Sequence, residues 1–346
     1  MSAHDAAPDS TPTDPAPSIV ALGGGHGLYA TLSAVRRLTD RVTAVVTVAD
    51  DGGSSGRLRA ELGVIPPGDL RMALAALSAD TADARVWTET VQHRFGGTGA
   101  LAGHSVGNLI LAGLTEVVGD PVAALDTLAR VLQLRGRVVP MSPIALDIEA
   151  DVAGLESDPR VSRCIRGQVA VATTPGKVRR VRLIPADPPA CTDALDAVLD
   201  ADLVVLGPGS WFSSVIPHVL VPDLHDALLH TSARKVLVLN LAAEPGETAG
   251  FSSERHLHVL AQHAPDFRVD HVLVDAGSVP PGREREHLGR AAARFGAEAA
   301  YVDVAETGTH RHDAAKLAEA IATYSTPALG DTRAVSGGGR EIVSWL

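Results

Sequence analysis

The sequence predicts an α/β protein with a Rossmann-like, doubly wound, mainly parallel sheet and a helical insertion. Three features of the 346 residues favour this fold class: short β-branched runs alternate with segments of helical periodicity, glycine-bearing turns follow two of those runs, and 45% of the residues are hydrophobic. Alternating strands and helices build parallel sheets that helices cover on both faces. A chain of this size has enough apolar material for one large core or two modest ones.

The first strand and the first helix are expected at 18–22 and 28–38. Leu28, Leu32 and Val35 fall on one face of that helix, as helical periodicity requires. The run 42–48, VTAVVTV, is typical of a strand buried on both faces. The later strands are expected at 168–172, 178–183, 203–206, 236–239, 271–274 and 301–304.

The region 66–135 is mainly helical in its pattern and is interpreted as an insertion, because strand and helix units resume after it. Its most regular helix is expected at 106–118, with one apolar stripe made of Val106, Leu109, Ile110, Gly113, Leu114 and Val117. A single Rossmann-like domain is therefore expected over 18–324. The Pro- and Ser-rich segment 1–17 is expected to be a disordered tail, and 325–346 a flexible tail with a short apolar end.

Charge and cysteine content limit the partners and the compartment. The chain carries 30 Lys and Arg against 41 Asp and Glu, a net charge of -11, which disfavours nucleic acid and anionic membranes as partners. It has 2 cysteines, no basic and apolar signal segment and no long apolar run, so a cytoplasmic protein without a membrane span is expected. The 14 histidines show no metal-ligand spacing, and no metal site is expected from them.

The first glycine turn is the leading candidate for ligand binding. It follows the first strand and opens the first helix, so its backbone can approach a phosphate while the helix directs free N–H groups and its positive dipole end at that anion. A plain strand-to-helix turn without a ligand is the alternative. The residues of this turn are Gly23, Gly24, Gly25, His26 and Gly27.

The second strand ends in a turn rich in acids, glycines and hydroxyls. Asp50 lies near the usual ribose-binding acid position, and Asp50 with Asp51 is also suited to hold a hydrated divalent cation beside phosphates. A solvated Asp-Gly turn is the alternative for both acids. Ser54, Ser55 and Arg57 follow in the same segment and are included among the candidate ligand residues.

Two helix starts and two later strand ends add further candidates. Asp69 in PPGDLR is interpreted as a helix N-cap, while Arg71 either reaches an anion or lies in solvent. At the start of the 106–118 helix, His104 and Asn108 act either in a cap or on a ligand. The strand at 203–206 leads into Gly207, Gly209 and Ser210, and the strand at 236–239 leads to Asn240. Loops at the carboxyl ends of parallel strands converge where such sheets bind ligands.

Taken in order, GGGHGLYATL, ADDGGSSGRLR, PPGDLRMALAAL, LAGHSVGNLILAGL, ADLVVLGPGSWFSSVIPHVLV and NLAAEPGETAGFS resemble the YvcK-like family of gluconeogenesis factors. The resemblance covers roughly 19–322 and is closest to the actinobacterial branch. The family is similar in fold to the 2-phospho-L-lactate transferases of coenzyme F420 synthesis. His26 departs from the family pattern, because many relatives have a small hydroxyl residue at its place.

The resemblance implies a cytoplasmic protein that binds UDP-sugars, notably UDP-N-acetylglucosamine, and supports cell-wall synthesis and cell shape during gluconeogenic growth. It implies no required cofactor and no established reaction. By position it places 23–27 and 207–210 at the diphosphate, Asp50 and Asn240 at sugar or ribose hydroxyls, and Arg311 at an anionic group.

Three functions therefore compete. The first is a UDP-sugar sensor recognised by a cell-wall-synthesis protein, with a homo-oligomer as an open alternative for its assembly. The second is a transferase of phosphate-linked groups that uses a divalent cation at Asp50 and Asp51. The third is an NAD-dependent oxidoreductase, which the first glycine turn and Asp50 alone would allow, although the sequence offers no evident hydride-transfer partner.

Overall fold

A parallel seven-stranded sheet forms the centre of the protein in a computed structural model that describes residues 16–158, 160–244 and 246–325. Counted along the chain, its strands lie in the order β10-β9-β8-β7-β1-β2-β3, and all neighbouring pairs are parallel. The strands are β1 (Ile19–Gly23), β2 (Val42–Val46), β3 (Arg137–Pro140), β7 (Leu203–Leu206), β8 (Arg234–Val238), β9 (His271–Asp275) and β10 (Glu298–Val302).

The order of the strands reverses between β1 and β7. From β1 the chain first adds β2 and β3 on one side, and then returns to place β7, β8, β9 and β10 on the other side. Every residue of β1 is buried, since the strand lies in the middle of the sheet with helices on both faces. In doubly wound sheets, ligands bind at the carboxyl ends of the strands at such a reversal.

Helices cover the sheet because each crossover between parallel strands is right-handed and packs an apolar helix face on the strands. The helix α1 contacts both α3 and α12, while α8 contacts α9 and α10 contacts α11. These helices span Gly25–Val35 (α1), Pro67–Leu77 (α3), Thr192–Leu199 (α8), Pro222–His230 (α9), Ser253–His263 (α10), Arg283–Ala293 (α11) and Ala314–Ser325 (α12). Between β7 and α9 the chain forms two short irregular helical turns, Trp211–Val215 and Ile216–Val219.

The predicted helical region is helical in the structure. Besides α3 it comprises α4 (Ala82–Gln92), α5 (Val106–Val118) and α6 (Pro121–Val131), and α2 (Gly53–Leu62) precedes it. Helix α3 contacts β2 and β3, so it also belongs to the helix layer of the sheet. The buried residues of α5 are Gly107, Asn108, Leu111 and Ala112, whereas Val117 of the apolar stripe is 84% exposed.

A second, antiparallel sheet lies between β3 and β7 in the chain. It consists of β4 (Asp147–Ala153) flanked by β5 (Ser162–Arg166) and β6 (Lys177–Ile184). On β4, Ile148, Ala150 and Val152 are buried, as the two-residue period of a strand with one covered face requires. The predicted strand at 178–183 therefore belongs to this small sheet.

One predicted strand is wrong. Residues 168–172 form a short helix, α7 (Gln168–Ala172), which follows Gly167. The Asp51 carboxylate accepts a hydrogen bond from the Val169 amide at 2.9 Å and so satisfies an N–H group in the first turn of α7. The last strand, expected at 301–304, lies three residues earlier at Glu298–Val302.

The predicted tails 1–17 and 325–346 lie outside the described residues except for 16, 17 and 325. Among the residues that are described, no helix is long and apolar enough to cross a membrane. Both cysteines are free thiols, with Cys164 exposed and Cys191 buried.

Candidate functional site

The two glycine turns contact each other at the carboxyl ends of β1 and β7. A Cβ atom on Gly27 would lie 2.2 Å from the carbonyl oxygen of Pro208 and 2.6 Å from the Cα of Gly209. Only glycine permits this approach of the two backbones. The sequence predicted that 23–27 and 207–210 converge, and the structure confirms that they do.

The turn after β7 is held by side chains from two neighbouring elements. Asn240, just beyond β8, accepts a hydrogen bond from the Gly209 amide and donates one to the Gly209 carbonyl oxygen, both at 2.9 Å. The Thr31 hydroxyl of α1 donates to the Gly207 carbonyl oxygen at 2.8 Å. The hydrogen bonds of the Asn240 amide therefore position the turn, and the Gly209 amide that it binds is not free for a ligand.

A polar cavity of about 230 Å³ opens beside these turns. Two residues that line it, Thr47 and Ser213, are only 2% exposed, and their hydroxyl oxygens are buried without a hydrogen-bond partner among the described residues. Buried polar atoms nearly always have a partner, so such groups point to a ligand or an ordered water. The lining residues are Gly24, Gly25, His26, Gly27, Thr47, Asp50, Asp69, Gln168, Gly209, Ser210, Ser213, Ser214 and Glu244.

Two carboxylates, Asp50 and Asp69, face this cavity from different elements. Burial raises the pKa of Asp69 to about 7, and the nearby charge of Asp50 raises it further against the opposing effects of the Gly25 amide and Arg71. Asp69 is in the first turn of α3, which begins at Pro67 after Pro66, so its interpretation as the N-cap is wrong. Its carboxylate instead accepts a hydrogen bond from Gly25 at the start of α1.

A larger cavity of about 790 Å³ adjoins the polar one, because His26, Gly27, Gly209 and Glu244 line both. Burial lowers the pKa of His312 in this cavity to about 4, so its ring is neutral at pH 7. The remaining lining residues are Tyr29, Ala30, Ser33, Pro208, Asn240, Leu241, Ala242, Ala243, Glu306, His310, Arg311, His312 and Ala314.

The structure brings about half of the sequence-predicted ligand residues to these two cavities. Those that line one or both are Gly24, Gly25, His26, Gly27, Asp50, Gly209, Ser210, Asn240 and Arg311. Those that line neither are Gly23, Asp51, Ser54, Ser55, Arg57, His104, Asn108 and Gly207.

Several residues of the second group have structural hydrogen bonds instead. Ser54 Oγ lies 3.0 Å from His104 Nδ1 and accepts a hydrogen bond from Asn108, whose own side-chain oxygen accepts one from Arg71. This buried network joins α2, α3 and α5. Burial lowers the pKa of His104, and the nearby charge of Arg57 lowers it further. The network explains these residue types without a ligand.

Two more of these residues fix loops. The Ser55 hydroxyl accepts a hydrogen bond from the Gly68 amide at 3.0 Å, and Arg57 donates to the Ala102 carbonyl oxygen at 2.7 Å. Because Asp51 caps α7, its carboxylate is directed away from the cavity that Asp50 faces.

Sequence reasoning missed several residues of the polar cavity. Asp69 was the most informative omission, since an acid in a helix start is ordinarily a capping residue. Ser213, Ser214 and Glu244 belong to segments that the sequence had singled out as strand-end loops, and Thr47 ends the second predicted strand. For these four residues, the position at the carboxyl end of a strand was a better indication of a site than the residue type.

Few side chains that could bind a metal ion lie close together in the described part of the chain. No group of three or more His, Cys, Asp or Glu side chains able to hold an ion occurs within the described part of the chain. The paired acids that face the cavity are Asp50 and Asp69, and not Asp50 and Asp51 as the sequence had suggested. Two carboxylates beside a phosphate site are enough for Mg²⁺, which keeps several of its waters.

Comparisons with known proteins give a consistent result. Residues 19–318 match the family model of the 2-phospho-L-lactate transferase CofD. A relative from Mycobacterium leprae is 70% identical over 305 residues, which cover 88% of this chain and 85% of that protein. The gluconeogenesis factor of Bacillus subtilis is 37% identical over 272 residues, covering 78% and 82% of the two chains.

The fold is also shared with a solved structure. The crystal structure of a UPF0052-family protein from Bacillus halodurans has a TM-score of 0.78 and 34% sequence identity, over 90% of this chain and 100% of the other.

Proposed function

Because this chain belongs to the CofD family, we propose that it binds a UDP-sugar, with UDP-N-acetylglucosamine as the first candidate, across the two joined cavities. The diphosphate occupies the polar cavity, and the nucleoside and sugar extend into the larger one. In this proposal the protein is a ligand-binding regulator, because the cavities supply recognition groups for an anionic nucleotide and the family resemblance implies no established reaction. No cofactor is required for such a role.

One observation carries the proposal: the polar cavity is lined by the N-terminus of α1 and by Thr47 and Ser213, two residues whose buried hydroxyls lack a hydrogen-bond partner among the described residues. The first amide groups of a helix have no intrahelical acceptor, and the helix dipole favours an anion there. A phosphate group offers the acceptor oxygens that both the amides and the hydroxyls lack. The larger cavity, at about 790 Å³, has the size of sites that hold drug-sized ligands.

The test is calorimetric titration of the protein with UDP-N-acetylglucosamine. Thr47→Val removes the unpartnered hydroxyl while it keeps the shape of the side chain, so we expect about tenfold to a hundredfold weaker binding, as the loss of one hydrogen bond to a charged group requires. Thr127→Val is the matched control, because Thr127 lies on α6 and lines neither cavity, and its hydroxyl donates to the Ala123 carbonyl oxygen and accepts from Arg130. Absence of binding to the unaltered protein at millimolar ligand would refute the proposal.

We further propose that a cytoplasmic cell-wall-synthesis protein recognises the ligand-bound form, as a monomer or a homo-oligomer. The support is the family resemblance and the name gluconeogenesis factor given to relatives from Bacillus subtilis and Halalkalibacterium halodurans. A strain without this protein is expected to lose its normal shape on gluconeogenic carbon sources and to keep it on glucose. Normal shape on both would contradict the role.

A second candidate is a metal-dependent transferase of a phosphate-linked group. The carboxylates of Asp50 and Asp69 on one cavity favour it, as does the family name, which describes a transferase. These residues would hold a divalent cation, which supplies charge neutralisation at a transferred phosphate. Turnover of a nucleotide diphosphate substrate that needs Mg²⁺ and is lost in Asp50→Asn would establish this function, and absence of product across a substrate panel would exclude it.

A further inference from the structure

Glu247 is a carboxyl group that the ligand site described so far does not use. Its residue is only 3% exposed, and Oε1 accepts a hydrogen bond from the Phe212 amide at 3.0 Å. Oε2 is fully buried and has no hydrogen bond of regular geometry among the described residues, although the Ser213 hydroxyl lies close enough to the carboxyl to favour its ionised form. An ionised carboxylate in that position would leave a charge without compensation in the interior, which is costly.

The group next to Glu247 is a second acid, Glu244. The two carboxyls are close enough to form a side-chain hydrogen bond. The turn that carries them is closed by the Thr248 hydroxyl, which accepts a hydrogen bond from the Glu244 amide at 2.9 Å. Glu244 also accepts a hydrogen bond from the Ser210 hydroxyl at 2.8 Å and lines both cavities. The pair therefore reaches from the interior to the junction of the two cavities.

Two adjacent carboxylates offer only acceptor oxygens to each other, so one proton between them is what satisfies both. Burial, and then the charge of Glu244, raises the pKa of Glu247 to about 8. At neutral pH Glu247 therefore keeps a proton, which it can share with Glu244.

We propose that Glu244 and Glu247 share one proton at the junction of the cavities, and that an anionic ligand binds there together with this proton. The inference rests on the proposed function, since it concerns the ligand of the same site. A diphosphate beside Ser210 would meet two negative charges if both acids were ionised and one if the proton is kept. Ligand and proton therefore favour each other's binding, and the coupling is reciprocal.

Other ionisable groups face the pair, and they determine which pH range is informative. His256 packs against Trp211. Burial lowers the pKa of His256 below the ordinary value, although the charge of Glu244 acts in the opposite direction. Its ring is therefore neutral above pH 7. Asp69 titrates near 7, below the range of the pair, and Glu244 is not among the groups that shift it. The other ionisable groups around the two cavities are His26, Asp50, Glu306, His310, Arg311 and His312.

The experiment is calorimetric titration of the full chain with UDP-N-acetylglucosamine from pH 7 to pH 9, in EDTA and in buffers of different ionisation enthalpy. We expect affinity to fall about fivefold to tenfold between pH 7 and pH 9, with net proton uptake at pH 8.5, as linkage to one proton requires. In Glu247→Gln the amide donates to Glu244 at every pH and still accepts from Phe212, so both effects should disappear. Asp187→Asn, at an exposed acid that lines neither cavity, is the control that should keep them.

The outcomes separate the two proposals. Binding that is independent of pH, or that weakens equally in Glu247→Gln, overturns the shared proton and leaves the proposed function standing. Absence of binding at every pH overturns the proposed function and the ligand coupling together. An infrared carboxylic-acid band at pH 7 that is lost in Glu247→Gln supports the shared proton without any ligand, and its absence in the unaltered protein refutes it. If Glu247→Gln does not fold, loss of the infrared carboxylic-acid band between pH 7 and pH 9 in Asp69→Asn, which removes the other buried acid of the site, tests the shared proton in its place.

Discussion

Asp69 illustrates how one residue can serve two conflicting demands. Its carboxylate satisfies the Gly25 amide at the start of α1, yet it lies beside the acid Asp50 on a cavity that excludes much of the solvent. A folded-state pKa above the ordinary value means that ionisation of Asp69 weakens the fold. Buried acids with a raised pKa belong to functional sites more often than they contribute to stability.

The stability of the protein is therefore expected to decrease between about pH 4 and pH 7 through Asp69. Below this range the carboxyl is protonated in both states, while above it only the unfolded state ionises without cost. Asp69→Asn keeps an acceptor for Gly25 and removes the charge. We therefore expect this substitution to stabilise the protein more at pH 8 than at pH 4. The two changes in the free energy of unfolding should differ by on the order of 2 kcal/mol. Urea denaturation at both pH values measures this, and equal effects at the two would contradict it.

Substitution of Gly27 tests whether the contact between the two glycine turns is needed for stability and ligand binding. A Cβ atom there would overlap the Pro208 carbonyl oxygen, so Gly27→Ala should separate the turns, destabilise the fold by about 2 kcal/mol or more and weaken UDP-sugar binding at least tenfold. Gly289→Ala is the control, because Gly289 lies in helix α11 with no atom within 4 Å of the added Cβ. That change should stabilise the protein by about 0.5 to 1 kcal/mol. Thermal unfolding of both variants, followed by titration, distinguishes a packing role from a neutral glycine.

At the scale of elements, the sequence predicted the strands of the parallel sheet better than those of the small sheet. Continuous apolar runs such as 203–206 indicate a strand buried on both faces, and a glycine turn marks where each ends. The short run 168–172 has the composition of a strand, but Asp51, distant in sequence, caps it as a helix. Local patterns could not reveal that contact, because it depends on the tertiary fold.

The apolar stripe of α5 shows a second limit of local patterns. Helical periodicity correctly gave Val106–Val118 as a helix, but the face buried against α2 and α3 carries Gly107 and Asn108, while Val117 is exposed. Gly107 is needed there because a Cβ atom would lie 2.8 Å from Val91 and 2.9 Å from Arg71. Close packing around small and polar residues is decided by neighbours that the periodicity does not name.

One acid on β4 joins the small sheet to helix α2. Asp147 forms ion pairs with Arg59 of α2 and Arg166 of β5 and has 23% of its side chain exposed. Burial opposes its ionisation, but the hydrogen bonds and charges of Arg166 and Arg59 outweigh this and lower the pKa of Asp147. Its stabilising effect is therefore present above the ordinary pKa of an aspartate and is lost as the pH falls below that value.

Asp147→Asn is expected to lower the free energy of unfolding by about 1 to 2 kcal/mol at pH 7, because the amide cannot replace two charge-assisted hydrogen bonds. The difference from the unaltered protein should shrink below about pH 4, the ordinary pKa of an aspartate, because the unfolded chain then takes up the proton before the folded protein does. Urea denaturation at pH 7 and pH 3.5 measures both values. Asp187→Asn, at an exposed acid in the loop after β6, should change neither. A loss of stability that is the same at both pH values would show that packing, and not charge, is responsible.

At the scale of the whole molecule, the reversal of strand order explains which predicted ligand residues meet. The carboxyl ends of β1, β7 and β8 adjoin, so the segments that follow them converge on the two cavities. The glycine turns could be recognised from the sequence because each is a local signal. The buried network of Ser54, His104 and Asn108 could not be recognised from the sequence, because it depends on how α2, α3 and α5 pack.

The separation of the predicted residues into those that line the cavities and those in the buried network gives a prediction for hydrogen exchange. With UDP-N-acetylglucosamine at about 100 times its Kd, the amides of 26–27, 210–214 and 241–244 should exchange more slowly, by up to about a hundredfold where exchange follows ligand release. Peptides from 54–57 and 102–108 should exchange at unchanged rates, because their polar groups already bond within the network and line neither cavity. The same titration with the Thr47→Val variant should reduce the protection in proportion to its lost affinity, which ties the footprint to this ligand. Protection of 102–108 equal to that of 210–214 would place His104 and Asn108 on the ligand and would require the network to open when the site is filled.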